Sequence, residues 1–348
     1  MLQNLKNILH QVFLPGRKPS RIPGTVSARP VSSLRAFGLN DFLNIDVPAR
    51  EMLLSPILPE RSLAMLYAPK GVGKSWLGIS IGLAVAAGEP LLRWSAPRKS
   101  KVLYVDGEMP LVSLQERLGD ISAGFGTDIP NDGFRILAAD NIEGGINLSL
   151  EEGHQALEPL LEDIDLIILD NLSTLLTSRS EAASDAWVPI QTWLLRLRRE
   201  GISVLLIHHA GTNGRQRGTS RREDALDTVI ALRRPEDYSP EQGARFEIHF
   251  EKLRNRVDAV GAMPFEARIE SVNAGGQRSI RWACSDLKPP MLKQAAELFS
   301  EGMTVREVAA LLRISKSEAG RLRIRAAEER LLPLDADAAL EGPQVTVQ

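Results

Sequence analysis

The residues Ala68-Pro69-Lys70-Gly71-Val72-Gly73-Lys74-Ser75 decide the fold of this 348-residue chain. They match the phosphate loop G-x-x-x-x-G-K-[ST], except that alanine stands at the first glycine position. Only a small residue is needed where a strand turns into such a loop, provided that its backbone angles are ordinary. A predicted apolar strand over 62–67 precedes the loop, and a predicted apolar helix over 75–87 follows it. This context predicts a nucleoside triphosphate site, with a chance glycine–lysine turn as the alternative.

Each part of the loop has a predicted task. Gly71 and Gly73 let backbone N–H groups converge on phosphate oxygens, together with the amino end of the following helix. Lys74 is expected to reach the β- and γ-phosphates, and Ser75 to ligate Mg²⁺, which prefers oxygen ligands. The predicted cofactors are therefore ATP and Mg²⁺. The residues predicted to contact the nucleotide are Ala68, Lys70, Gly71, Val72, Gly73, Lys74, Ser75 and Trp76.

Acidic residues follow two further predicted strands. The apolar run 166–170 ends in Asp170, which is predicted to hold Mg²⁺ through water. The run 102–108 places Asp106 and Glu108 just past a neighbouring strand. Glu108 is the predicted catalytic base that orients the attacking water, with Asp106 as the second choice. The alternative is that Glu108 merely caps the helix that is predicted to follow it.

Apolar runs alternate with helical patterns between about residues 50 and 270. This alternation predicts an α/β fold with a mainly parallel central sheet flanked by helices, and such sheets bind ligands beyond the carboxyl ends of their strands. Strands are predicted at 62–67, 101–106, 134–137, 166–170, 203–208, 228–233 and 244–252, and helices at 75–87, 108–119 and 187–200.

Two adjacent histidines, His208 and His209, stand where the predicted strand 203–208 ends. Because neighbouring strand residues point to opposite faces, a zinc site there is the less favoured alternative. One imidazole is predicted to sense the γ-phosphate by hydrogen bonding. His208 is the candidate named for this catalytic role, although the pattern does not decide between the two.

The loop, the strand ending in Asp170-Asn171, the histidine pair and the run Arg217-Gly218-Thr219-Ser220 together resemble the RepA-type hexameric helicases of plasmids. More broadly they resemble the AAA-25 family of RecA-like ATPases, over roughly residues 45–270. The resemblance implies a RecA-like core, a homo-oligomeric working ring of six copies, and single-stranded DNA threading through its centre.

The segment Lys252-Leu253-Arg254 also resembles the Lys-x-Arg element with which ring helicases reach into the neighbouring subunit's nucleotide site. A cation supplied in this way neutralises charge on the transferring phosphoryl group and can raise the rate by ~10³–10⁵. Lys252 and Arg254 are therefore predicted catalytic residues acting in trans. The alternative is a solvated charge cluster.

Arginines on two predicted loops are candidates for contacting nucleic acid. Such side chains suit the phosphate backbone, although neither loop carries an aromatic residue for base stacking. The candidates are Arg179 on the loop after Asp170, and Arg215, Arg217 and Arg221 on the loop after His209.

Composition limits the remaining possibilities. The net charge of −2, with 43% hydrophobic and 25% charged residues, is that of an ordinary globular protein and argues against wholesale coating of nucleic acid. The single cysteine, Cys284, excludes an internal disulfide framework. No apolar run approaches the ~20 residues that span a bilayer, and no signal peptide is recognisable. A cytoplasmic protein without a membrane partner is expected.

The chain is predicted to divide into five segments. These are a basic, flexible arm over 1–44, the ATPase domain over 45–272, a linker over 273–290, a helix-turn-helix-like domain over 291–334 and a disordered tail over 335–348. The arm could equally be a solvated tail without a partner.

The predicted carboxy-terminal domain starts with a helix over 291–300. Thr304 and Glu307 have capping-box spacing for a second helix, and a third over 317–331 carries Arg321, Arg323 and Arg325. A helix, a short turn and a basic helix favour duplex DNA as a partner. The alternative is a module for subunit or partner contacts.

The sequence thus favours a Mg²⁺-dependent, ring-forming ATPase that translocates on DNA as a helicase of a plasmid or mobile element. An ATP-switched DNA-binding regulator and a recombination or repair ATPase are the alternative hypotheses.

Overall fold

The computed structural model describes residues 36–47, 49–142, 145–176, 184–211, 221–254, 263–274, 277–287 and 291–332. The chain divides into a segment ending at Ala49 and a larger unit from Arg50 onward. In the first segment, helix α1 spans Leu39–Leu43 and buries none of its side chains. The rest of the predicted basic arm, residues 1–35, lies outside the described residues.

The larger unit is built on a central sheet. Its strands are β1 Met52–Leu54, β2 Leu58–Pro59, β3 Leu63–Ala68, β4 Val102–Asp106, β5 Phe134–Leu137, β6 Leu166–Asp170, β7 Ser203–His209, β8 Thr228–Arg233, β9 Arg245–Leu253, β10 Phe265–Ala274 and β11 Gln277–Asp286. β1 and β2 pair only with each other, and the other nine form one sheet in the order β11-β10-β9-β8-β3-β7-β6-β4-β5. From β8 to β5 all neighbours are parallel, whereas β9, β10 and β11 add antiparallel strands beyond β8. The predicted α/β class with a mainly parallel sheet is confirmed.

Helices cover both faces of this sheet. They are α2 Lys74–Ala87, α3 Leu111–Ser122, α4 Glu151–Leu157, α5 Leu172–Leu175, α6 Ser184–Arg199 and α7 Arg221–Asp224. The apolar side chains of α2 and α3 pack with β1 and β2 on one face, and those of α4, α5 and α6 pack on the other. The parallel strands β3, β4, β6 and β7 are buried on both faces, which explains why they read as continuous apolar runs.

Parallel pairing brings the carboxyl ends of these strands to one edge of the sheet. Asp106 at the end of β4 is in register with Asp170 at the end of β6, and Ala68 at the end of β3 is in register with His209 at the end of β7. The residues predicted for nucleotide chemistry therefore start from the same edge. We refer to it below as the loop edge.

Several predicted element boundaries differ from the structure by one to three residues, and two differences affect the site and the domain division. The helix predicted over 108–119 spans Leu111–Ser122, with Pro110 as its N-cap. The linker predicted over 273–290 is wrong for most of its length. β11 pairs along its whole length with β10 as an antiparallel hairpin in the central sheet. Many of its side chains are exposed, so its composition looks like that of a linker.

Three helices follow the sheet: α8 Met291–Ser300, α9 Val305–Leu312 and α10 Lys316–Glu328. They share a small apolar core that includes Phe299 and Val308. The predicted capping box is confirmed, since Thr304 accepts from the Glu307 N–H and the Glu307 carboxylate accepts from the Thr304 N–H. The predicted tail lies outside the described residues. None of the helices in the described part of the chain has the length and apolar character that a membrane crossing needs.

Candidate nucleotide site at the loop edge

The loop between β3 and α2 has the backbone geometry that phosphate binding requires. Gly71 and Gly73 have φ angles of +74° and +126°, which residues other than glycine rarely adopt. A Cβ at Gly73 would also lie 2.9 Å from the Phe246 ring. Ala68 has no positive φ and is buried at the end of β3, so alanine fits the first position as expected. No described side chain caps α2, which leaves the N–H groups of its first turn for an anion.

Lys74 is held inside this loop. Its ammonium group donates to the backbone carbonyls of Ala68 at 3.1 Å and Pro69 at 2.9 Å. Burial lowers the pKa of Lys74 to about 8, while the nearby carboxylates of Asp170 and Glu108 act in the opposite direction. A buried ammonium group in this position can donate charge-assisted hydrogen bonds to the phosphate oxygens of a bound nucleotide.

Asp170 is buried beside the loop, close to the hydroxyl groups of Tyr104 and Ser75. Its Oδ2 accepts a 2.5 Å hydrogen bond from the Tyr104 hydroxyl. Burial raises the pKa of Asp170, although this hydrogen bond and the nearby Ser75 hydroxyl favour the charged carboxylate and lower the pKa. Ser75 and Asp170 therefore offer adjacent oxygens, which are the ligands that fit Mg²⁺. Tyr104 was missed by the sequence reasoning, although strand alternation places it on the same face as Asp106.

Asp106, the second choice for the base, is occupied by the backbone. Its Oδ1 accepts from the N–H groups of Glu108 at 3.0 Å and Met109 at 2.7 Å. Burial raises its pKa to about 6, although these two hydrogen bonds lower it. Because Asp106 is buried and shapes the turn after β4, it is poorly placed to take a proton from water. The acid of this turn that reaches solvent is Glu108.

Glu108 extends from this turn towards β6 and β7, and 56% of its side chain is exposed. Its Oε2 accepts from the Asn171 side-chain amide and lies 3.9 Å from Nε2 of His209. The alternative that Glu108 caps the following helix fails, because α3 begins only at Leu111 with Pro110 as its N-cap. Glu108 thus has the position expected of a general base.

The structure places the two histidines on opposite faces of the sheet. His209 lies on the face of β7 that Ile207 shares with α2, next to Glu108, whereas buried His208 faces the α6 side with Leu206. The histidine next to Glu108 at the loop edge is therefore His209, whereas the predicted sensor, His208, lies on the other face, and the phosphate-sensing role itself stays a prediction. Sequence alternation shows that the two differ, but not which one faces the loop.

Comparison with known families decides what kind of site this is. A family model described as an AAA domain (AAA-25) matches residues 29–215, more than half of the chain. The chain belongs to the AAA-25 family. With its phosphate loop and parallel sheet, this AAA-25 protein is a RecA-like phosphate-loop ATPase.

Solved structures with a similar arrangement include three proteins. The flagellar accessory protein FlaH from Methanocaldococcus jannaschii is 12% identical, with a TM-score of 0.45, over 66% of this chain and 91% of FlaH. The RadB recombinase is 17% identical, with a TM-score of 0.42, over 66% of this chain and 92% of RadB. A KaiC-like protein from Pyrococcus horikoshii OT3 is 14% identical, with a TM-score of 0.43, over 67% of this chain and 98% of that protein. Likeness at this level does not identify a substrate or a partner for this AAA-25 protein.

The other residues predicted to contact the nucleotide differ in their surroundings. The Trp76 side chain is partly buried and packs against the core, with the Arg117 guanidinium 4.9 Å from its ring centre. Lys70 is exposed on the loop and Val72 is buried beneath it. Arg234, which the sequence reasoning missed, donates to the Gly71 carbonyl at 2.8 Å. Its position just after β8, the strand next to β3, is the only sequence signal that could have suggested this contact.

Lys252 and Arg254 lie away from the loop edge of their own chain. Lys252 is in register with Val229 near the start of β8. Lys252 and Arg254 donate to the backbone carbonyls of Glu223 and Asp224 in α7. Burial lowers the pKa of Lys252, and the adjacent Arg254 lowers it further. The structure therefore places neither cation in its own nucleotide site.

Most candidate nucleic-acid contacts lie outside the described residues. These are Arg179, Arg215 and Arg217. For Arg221 the backbone is described, as the first residue of α7. Both loops start from the loop edge, since the described chain ends at Leu176 after β6 and at Gly211 after β7 before each gap. The DNA contacts of this AAA-25 protein stay predictions.

Proposed function

We propose that this protein is a Mg²⁺-dependent, ring-forming ATPase that couples ATP hydrolysis to movement along DNA, as a RepA-like helicase of a plasmid or mobile element. The observation that carries the ATPase chemistry is the convergence of Lys74, Asp170, Glu108 and His209 on one edge of the sheet. A metal site, a base and a polar γ-phosphate sensor next to a phosphate loop are the parts that phosphoryl transfer to water requires.

Each side chain has a task in this reaction. Lys74 binds the β- and γ-phosphates, and Ser75 and Asp170 hold Mg²⁺, which when bound neutralises charge on the phosphate oxygens. Glu108 orients a water and takes its proton as the water attacks the γ-phosphorus. His209 is close enough to Glu108 to contact the same water or the γ-phosphate.

Assembly into a ring is supported by the position of Lys252 and Arg254. Both cations stand away from their own site, as groups that complete a neighbour's site must. If they act in trans, hydrolysis depends on assembly and a monomer turns over slowly. Imaging with a nonhydrolysable nucleotide and DNA tests this, and we expect closed particles of six copies. An open filament would favour a recombination or repair ATPase instead.

The helicase step is tested by two assays on the same preparation. ATP turnover is measured with and without single-stranded DNA, and strand separation is measured on a forked duplex. We expect single-stranded DNA to stimulate turnover and ATP to drive separation. Turnover without separation would leave the ATPase intact and reject the helicase.

A second candidate function is an ATP-switched regulator that reads duplex DNA. It is favoured by the three helices α8, α9 and α10, the last of which carries the exposed arginines Arg321 and Arg325. Footprinting on duplex DNA distinguishes the two functions. A preferred site that is lost on deletion of residues 291–348 would support the regulator, and uniform protection would count against it.

A further inference from the structure

The side chain of Asn171 connects two parts of the site. It follows Asp170 directly and is 2% exposed. Its Oδ1 accepts from the backbone N–H groups of Ser173 at 3.0 Å and Thr174 at 3.2 Å, so it caps α5. Its Nδ2 donates to Oε2 of Glu108. The orientation of the amide follows from these partners, because the oxygen must face the two N–H donors and the nitrogen must then face the carboxylate.

The backbone that carries Glu108 is packed directly on α5. A Cβ at Gly107 would lie 2.6 Å from Oγ1 of Thr174 and 2.9 Å from Cδ2 of Leu175, so only glycine allows this approach. The Gly107 N–H donates to the Asp170 carbonyl at 2.7 Å. The Thr174 hydroxyl donates to the Asn171 carbonyl at 2.9 Å. The amide of Asn171 is therefore fixed relative to both the cap of α5 and the turn that bears Glu108.

We propose that Asn171 is a positioning residue, which holds the Glu108 carboxylate in the orientation that activates water. This inference rests on the proposed ATP hydrolysis at this site. More than half of the Glu108 side chain is exposed, so without a fixed donor the carboxylate would sample several rotamers. The hydrogen bond from Asn171 engages Oε2 and leaves Oε1 to take the proton. A misplaced base lowers the rate without weakening the binding of ATP.

Two substitutions separate this role from helix capping. Asn171→Ser and Asn171→Asp both keep a residue that is favoured at an N-cap, so α5 should remain capped. Serine is too short to reach Glu108, and aspartate replaces the donor with an oxygen that repels the carboxylate. We expect the serine variant to keep its melting temperature and its dissociation constant for a fluorescent ATP analogue. We expect kcat to fall by about tenfold to 100-fold for serine, and further for aspartate, with KM for ATP nearly unchanged.

Asn147→Ser is the matched control. Asn147 Oδ1 also accepts from a backbone N–H two residues on, that of Ser149, at 3.0 Å. This substitution in a loop before α4 should leave kcat unchanged. It reports the effect of exchanging an asparagine for a serine at a similar turn outside the site.

A double variant shows whether Asn171 acts through Glu108. In a Glu108→Gln background, single-turnover hydrolysis should fall no further when Asn171→Ser is added. Wild-type kcat in both Asn171 variants would overturn the inference while sparing the ATPase, and so would an equal additional loss in the Glu108→Gln background. Absence of turnover in the wild-type protein with Mg²⁺ and DNA would overturn the proposed function and this inference together.

Discussion

The Tyr104 hydroxyl donates a 2.5 Å hydrogen bond to Oδ2 of Asp170, and both side chains are buried beside the phosphate loop. The hydrogen bond joins β4 to β6. β6 ends at the proposed metal ligand Asp170, and β4 leads into the turn that carries Glu108. Burial and the Asp170 charge hold the pKa of Tyr104 well above its usual range, so the tyrosine stays protonated and donates. Tyr104 therefore supplies a fixed hydrogen-bond donor to the Asp170 carboxylate, which would otherwise be costly to bury.

Tyr104→Phe should therefore destabilise the protein, because it leaves a buried carboxylate oxygen without its donor. We expect the free energy of unfolding in urea to fall by about 1–3 kcal/mol. Tyr238→Phe is the control, since the Tyr238 hydroxyl donates to the Gly243 carbonyl at an exposed site. Its effect should stay within about 0.5 kcal/mol. Equal effects of the two substitutions would show that the buried hydrogen bond has no special role.

Glu108→Gln should separate binding from hydrolysis. The amide has the shape of the carboxylate but cannot accept a proton, so ATP should bind normally while kcat falls by about 10²–10⁴. Equilibrium binding of a fluorescent nucleotide and steady-state turnover measure the two effects. Glu116→Gln on α3, where the side chain is exposed, is the control and should retain full turnover. If Glu108→Gln hydrolyses ATP at the wild-type rate, Glu108 is not the base.

The pattern of apolar residues along the chain was enough to locate several of the central strands. The strands predicted at 134–137, 166–170 and 228–233 have the same bounds in the structure, because each is an apolar run between clear breaks. The start of α3 was misjudged, because Asp106 accepts from the N–H groups of Glu108 and Met109 and holds them in a turn. The β10–β11 hairpin was missed because antiparallel strands with one solvated face contain many polar residues.

The candidate site was predictable only where motif and strand end coincide. Lys74, Ser75, Glu108 and Asp170 follow from such coincidences. The contacts of Asn171 with Glu108 and of Arg234 with Gly71 join residues far apart in the chain, 63 and 163 positions respectively. Their approach depends on strand order and on packing of the loops, which periodicity alone does not give.

The lowered pKa of Lys74 predicts a dependence of nucleotide binding on pH. Burial brings this pKa from 10.5 to about 8, so the ammonium loses its charge as the pH rises through 8. The affinity for ADP without added Mg²⁺ should weaken between pH 7 and 9, approaching about tenfold per unit at the upper end. Fluorescence titration measures this. Lys70→Ala, a change at an exposed lysine of the same loop, should keep the same pH profile.

The same shift has the opposite effect on stability. The unfolded chain holds the Lys74 proton more tightly than the folded chain, so this group makes unfolding harder as the pH rises from about 8 towards 10.5. Below pH 8 both states are protonated and the full cost of burying the charge remains. An affinity for ADP that is constant from pH 7 to 9 would contradict the assigned role of Lys74.

Mixing two inactive variants tests whether Arg254 completes a neighbouring site. Lys74→Ala removes the nucleotide site of its own subunit, and Arg254→Ala should remove the cation that this subunit supplies to its neighbour. In a ring assembled from an equal mixture, about a quarter of the interfaces would combine an intact Lys74 with an intact Arg254 from the adjacent copy. We therefore expect the mixture to recover turnover that neither variant shows alone.

The matched control mixes Lys74→Ala with Glu108→Gln. Each subunit then carries a lesion in its own pocket, either at Lys74 or at Glu108. A neighbour that supplies an intact Arg254 cannot repair either lesion, so every pocket stays defective. Recovery should be absent there. Arg268→Ala, at an exposed arginine of β10, should keep full turnover alone and excludes a general effect of removing a surface cation. If the Arg254→Ala mixture stays as inactive as the Glu108→Gln mixture, while Arg254→Ala alone is folded and inactive, the cation acts within its own chain. The contacts of Lys252 and Arg254 with the carbonyls of α7 would then be the structural role that explains its loss.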